Sequence, residues 1–301
     1  MGLARVGFVP IPPGDSPGFD HADVAPEAGR LFVAHTGADR IDVLDHRSQT
    51  WLRSITDVPG VAGVLVDEGH DLLCSTDRAA ARISVFRLSD EGLVARVEVG
   101  PHPNGVAYDR RRRRLHVFNL GEPLGEGCTV SVVDVAEARV LAELPLPGRP
   151  RWAVYDEGRD AVYANIRDPA VVVVVDCERV ELARSIPVAA AGPHGLWLHR
   201  GILYCAADEG TLVALDADGG ETIASLPLPG TPDVVMLDPG RRRLYVSIGD
   251  PGLVSSFDSE RLEHVEDVKT ERGAHTSCLA PDGTLHVFCP ESCGAALYAE
   301  R

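Results

Sequence analysis

The sequence predicts an all-β chain folded as a seven-bladed β-propeller, and three observations carry that prediction. Segments like PHPNGVAYDRRRRRLHVFN (101–119) recur seven times at nearly constant spacing. Each is followed by two more alternating segments, so every unit holds four short strands. The seventh unit ends one strand short at GAALYAER, and LARVGFVPIPP near the start of the chain resembles the missing fourth strand.

Within a unit the order is fixed. An alternating apolar strand opens it, a turn of Asp, Gly, Pro or Arg follows, and a second strand returns. The first strands start at Asp20, Ala62, Asn104, Arg151, His194, Asp233 and His275, in steps of 42, 42, 47, 43, 39 and 42 residues. Third strands follow as RIDVLD, RISVFRL, TVSVVDV, VVVVVD, TLVALD and LVSSFD, and fourth strands as WLRSI, LVARVEV, VLAELPL, ELARSIPV and TIASLPL. Four antiparallel strands per 40-odd residues define a propeller blade. The reading is one domain over 1–301, with blades starting near 17, 59, 101, 148, 191, 230 and 273, and with residues 3–13 closing blade seven. Closure removes open sheet edges, which keeps a long β chain soluble.

Composition narrows the function. With 301 residues and 45% apolar content the chain can bury a large core. Its net charge of −16 excludes nucleic acid and anionic membranes as expected partners. The five arginines Arg110–Arg114 therefore read as a solvated turn of blade three. Lys269 is the one lysine, and no phosphate-cradling GxxxxGK[ST] run exists. The longest aliphatic run, Ala170 to Val175, is far too short to span a bilayer. No export signal opens the sequence, so the seven cysteines read as thiols of a cytoplasmic protein, expected to be monomeric. CPESC (Cys289 to Cys293) lacks the CxxC spacing of zinc ribbons and redox pairs, and a metal or redox role for it is the weaker reading. GDSPG (14–18) fits a nucleophile-elbow pattern but is followed by a strand rather than a helix.

The candidate site follows from the ring. In a propeller the first strands line the axis, so their starting residues meet at one mouth of the channel. Six of the seven are polar: Asp20, Asn104, Arg151, His194, Asp233 and His275. Such convergence is the pattern of a ligand site, although Asp, Asn and His at strand starts also serve as turn caps. His194, Asp233, His275 and Asp20 come from consecutive blades around the closed ring. They are candidate ligands for a divalent ion (Zn²⁺, Mn²⁺, Ca²⁺ or Mg²⁺), or His194 and His275 are candidate acid–base catalysts without one. Arg151 is positioned to pair with an anionic substrate group. Loop acids Asp77, Asp168, Asp208, Asp250 and Glu291 are expected on the same face, and the long loop NLGEPLGEGC (119–128) is expected over the mouth.

LFVAHTGADRIDVLDHRSQT (31–50) and LYVSIGDPGLVSSFDSE (244–260) resemble YVTN-type propeller repeats. The resemblance covers essentially the whole chain and implies the fold, in a family holding both binding proteins and lactonase-like enzymes. HPNGVAYD and TPDVVMLD are similar to inner strands of gluconolactonase/regucalcin-type propellers, which implies metal-ligand roles for Asn104 and Asp233. Here those two stand three blades apart, and no glutamate joins them in the ring. GPHGL at His194 is similar to the ring motif of streptogramin-lyase propellers, without that family's glutamates. Two functions stay open: a propeller binding a small molecule, peptide or protein partner at the mouth, or a metal-dependent hydrolase or lyase of lactone-like molecules.

Overall fold

The computed structural model describes residues 2–301 as seven four-stranded antiparallel sheets. In six blades four consecutive strands pair in chain order. Blade seven is composite: Thr276–Leu279, Leu285–Cys289 and Gly294–Glu300 are completed by Leu3–Pro10 from the other end of the chain. Leu3 pairs with Glu300 and Pro10 with Gly294, and the backbones of Gly2 and Arg301 extend the seam with two 2.9 Å hydrogen bonds.

Local chemistry explains the repeat. Inner strands end at Asp67, Asp109, Asp156 and Asp238, whose carboxylates accept backbone N–H groups of the following turn. That turn ends with a residue in left-handed conformation in every blade: Gly29, Asp71, Arg113, Asp160, Gly201, Arg242 and Gly283. The arginine run is thus one of these turns. Arg110 reaches Asp67 of blade two, and Arg112 bonds both Asp109 and Asp160 of blade four. Arg159 links blade four to Asp218 of blade five in the same way. These arginines staple neighbouring blades together.

The core consists of seven apolar layers, one between each pair of neighbouring blades. Blades one and two share Phe32, Val43, Val64 and Leu73, while blades seven and one share Phe288, Leu297, Leu31 and Val33. At about 1.5–3 kcal/mol for each large apolar side chain buried, these layers hold the ring together. The second strands add a polar rung near the axis. Thr76 donates to the Asn104 carbonyl at 2.8 Å, and Asn165 donates to the carbonyls of His194 and Gly195 at 3.0 and 2.9 Å.

Two features aim the ring residues. Five inner strands break register where the ring residue sits: between Val61 and Val64, Pro103 and Val106, Pro150 and Ala153, Pro193 and Gly195, and Pro232 and Val235. Such a bulge frees a residue from the ladder and redirects its side chain. Backbones also converge closely at the axis. A Cβ on Gly195 would stand 1.8 Å from the Asp233 carbonyl oxygen, and one on Gly105 would stand 2.5 Å from that of Arg151. Gly195→Ala should therefore push blades five and six apart, costing roughly 1–3 kcal/mol; a urea midpoint equal to that of the unsubstituted protein would contradict this packing.

Candidate functional site

All six polar ring residues line one cavity. Asp20, Asn104, Arg151, His194, Asp233 and His275 meet there with His21, Arg78, Arg149 and Trp152, around a volume of about 230 Å³. The 119–128 loop contributes Leu120 and Leu124 to the wall. Ala62, the seventh ring position, is fully buried.

The cavity is a network of charged groups. Asp233 accepts the Trp152 indole N–H at 3.0 Å and lies 3.3 Å from His194 Nε2 and 3.9 Å from His275 Nε2. The other ring nitrogen of His194, Nδ1, is 2.9 Å from Asp208, which also pairs with Arg167 at 3.0 Å. Burial would raise the Asp208 carboxyl, but the His194 hydrogen bond, with Arg151 and Arg167 nearby, holds it below the usual carboxylate range. His275 donates from Nε2 to the Phe19 carbonyl at 3.1 Å. Across the mouth, Asp20 bonds His21 Nδ1 at 2.7 Å and Arg78 at 3.0 Å, and Arg78 also reaches the Asn104 side chain.

Two guanidiniums have no counterion. Among the described residues the side chains of Arg149 and Arg151 form no ion pair, and the Nε of each is buried without a partner. Burial, then the neighbouring Arg149, pushes Arg151 below its ordinary range, and Asp233 and Asp208 only partly offset this. Burial, then Arg167 and Arg78, does the same to Arg149. In the cavity wall Arg78, Arg149 and Arg151 thus face Asp20 and Asp233, so the channel mouth of a chain of net charge −16 carries one more guanidinium than carboxylate.

The floor is an aromatic pair. His21 stacks on Trp152 with ring centroids 4.1 Å apart. Below it the channel becomes apolar, a second cavity of about 260 Å³ walled by Leu65, Val106, Val154, Leu196, Trp197 and Met236. One acid lines that lower half: burial pushes the Asp23 carboxyl up to about 6, against hydrogen bonds from the Val66 and Val24 amides.

Several residues expected on the mouth face have other positions or partners. Asp77 is fully buried and accepts from Ser75, Ser84 and Arg82 within its own blade. Asp250 pairs with Arg272 in a groove beside the mouth. Cys289 and Cys293 are free thiols pointing to different carbonyls, those of Val287 and Pro12. Ser16 of GDSPG is exposed and hydrogen-bonds only the Gly37 carbonyl. His21, Arg78, Arg149 and Trp152 were not singled out from sequence. Trp152 and His21 each follow a ring residue, which was their one available signal.

The four arc donors already have partners: His194 meets Asp208 and Asp233, His275 the Phe19 carbonyl, Asp233 the Trp152 indole, and Asp20 both His21 and Arg78. Among the described residues the donors that do gather are Asp109, His116 and Cys177, within 4.8 Å of one another and away from the mouth. That cluster could hold a metal ion.

Fold and mouth together define a seven-bladed β-propeller with a polar axial site. Two solved structures are similar to the chain over nearly its whole length. One, streptogramin B lyase, has a TM-score of 0.82 and 13% identity, over 99% of this chain and 97% of that one. The other, hydrazine synthase of Kuenenia stuttgartiensis, has a TM-score of 0.78 and 16% identity, over 95% and 96%. At such identities they establish the shared fold. No family model and no curated protein matches the sequence.

The Asp20 pairings have a pH signature. Burial would raise this carboxyl, yet His21, then Arg78 and His275, hold it well below its usual 3.8. A depressed carboxyl contributes stability that is complete above that value and fades as pH falls. Asp20→Asn should cost roughly 1–3 kcal/mol at neutral pH. The difference from the unsubstituted protein should shrink in urea titrations run progressively below pH 4. A difference that stays constant with pH would refute the pairing.

Proposed function

We propose that the channel mouth binds a small anionic molecule, its carboxylate or phosphate lying between Arg149 and Arg151. The observation carrying this reading is the pair of half-buried guanidiniums without counterions. Leaving a buried charge unpaired is costly, and a bound anion relieves that cost with charge-assisted hydrogen bonds. Trp152 and the loop residues Leu120 and Leu124 supply apolar surface for the rest of the ligand, while His194, Asp233 and His275 offer polar contacts opposite. This is the small-molecule role of a YVTN-like binding propeller.

A hydrolase or lyase acting on a lactone-like anion at the same mouth is the second reading. His275 favours it. With Nε2 donating to a backbone carbonyl, Nδ1 carries the lone pair, and the imidazole is 40% exposed beside the cavity. That is the arrangement of an available general base. His194 has carboxylates at both nitrogens, which suits positioning. The likeness to streptogramin B lyase supports this reading at the level of fold.

Binding is tested by calorimetric titration with inorganic phosphate, succinate and citrate at low ionic strength. At least one should bind and be displaced by salt. Arg151→Ala and Arg149→Ala should each weaken it roughly 10- to 100-fold. Equal binding by both variants, or no binding of any of the three anions, would count against the site. Turnover of a lactone panel, lost in His275→Ala while anion binding survives, selects the enzymatic reading.

A further inference from the structure

We propose that Asp109, His116 and Cys177 form a structural zinc site joining blades three and four. The site lies at the end of the blade opposite the mouth: the inner strand of blade three, Pro103–Asp109, has the ring residue Asn104 near its start and Asp109 at its end. His116 stands on the adjacent second strand, and Cys177 follows the third strand of blade four, Val171–Asp176. All three residues are fully buried, and their donor atoms lie within 4.8 Å of one another.

The repeat shows what is unusual here. Blades four, five and six put Tyr163, Tyr204 and Tyr245 at the position equivalent to His116. Each phenol crosses to the next blade, reaching the carbonyl of Ala217 at 3.4 Å, that of Ser259 at 3.1 Å and the Glu300 carboxylate at 3.0 Å. An imidazole is too short for that crossing. Both nitrogens of His116 are buried without a hydrogen-bond partner. Facing it, where the neighbouring blades have Ala217 and Ser259, is the thiol of Cys177. Its only hydrogen bond is a 4.0 Å contact to the Val175 carbonyl. Blade seven also carries a histidine at this position, His286 near His46, but no third donor joins them within the same reach.

Donor chemistry selects the ion. One thiolate, one imidazole and one carboxylate suit zinc and disfavour magnesium and calcium, which prefer all-oxygen shells. On binding, the Cys177 S–H bond breaks, its proton passes to solvent, and a sulfur–zinc bond forms. Thiolate and carboxylate then balance the charge of Zn²⁺. Arg112 donates to the Asp109 carboxylate at 3.1 Å as well as to Asp160 at 2.6 and 2.7 Å, so the ion competes with Arg112 for Asp109. Zinc bonds of about 2.0–2.3 Å are compatible with donors that all lie within 4.8 Å of one another, and three protein donors leave the fourth tetrahedral position to a water. With every donor buried, the ion enters as the chain folds.

The test is refolding of the full chain from urea with Zn²⁺ or Co²⁺ and a non-thiol reductant, followed by dialysis and elemental analysis. One ion per chain should remain, the melting temperature should exceed that of metal-free protein, and the Co²⁺ form should show a thiolate-to-cobalt charge-transfer band. Cys177→Ser should abolish the band. His116→Tyr, which installs the residue used in blades four to six and so should fold, should retain no ion. Folded unsubstituted protein that holds no ion overturns the proposal, and so does equal retention by His116→Tyr or an unchanged band in Cys177→Ser.

Discussion

Everything in this molecule depends on seven inner strands converging on one axis. Convergence brings backbones so close that Gly105 and Gly195 have no room for a Cβ against the next blade's carbonyl. It requires a break in register beside the ring residues, and that break points their side chains into the opening rather than into the sheet. The amino-terminal strand completes blade seven by pairing with Gly294–Glu300, and its Val9 joins the layer of Phe288, Leu297, Leu31 and Val33 between blades seven and one.

Geometry alone does not explain what the ring contains. Blade two shows that alanine satisfies the packing at Ala62. The other six positions carry polar groups instead, and these order themselves by charge. Asp20 answers Arg78, and Asp208 answers Arg167 and His194. Arg149 and Arg151 are left over. Elsewhere arginines pair across blades at Asp67, Asp160 and Asp218, while the half-buried Arg114 also has a buried Nε without a partner. The His21–Trp152 stack closes the mouth below and separates it from the apolar lower channel.

The repeat was legible because alternation and turn chemistry recur with it: an aspartate ends the inner strand in four blades, and a left-handed residue ends the turn in all seven. The ring residues were legible for the same reason, since equivalent register positions in a closed ring must share one mouth. Arg149 and Arg78 were not. Arg149 precedes its strand, Arg78 sits in an outer loop, and only packing between blades brings them to the axis. Asp77, expected among the loop acids of the mouth face, instead ends a strand, and Ser75 and Ser84 hold its carboxylate within the sheet. The Asp109, His116 and Cys177 cluster spans two blades, and no local spacing announces it.

Because closure by the amino-terminal strand gathers the whole site, native-state hydrogen exchange across that seam is the most direct measurement. Amides of Leu3–Pro10 should be protected as strongly as those of Gly294–Glu300 and should open together with them. Rapid exchange of residues 3–10 while the remaining blades stay protected would contradict the account.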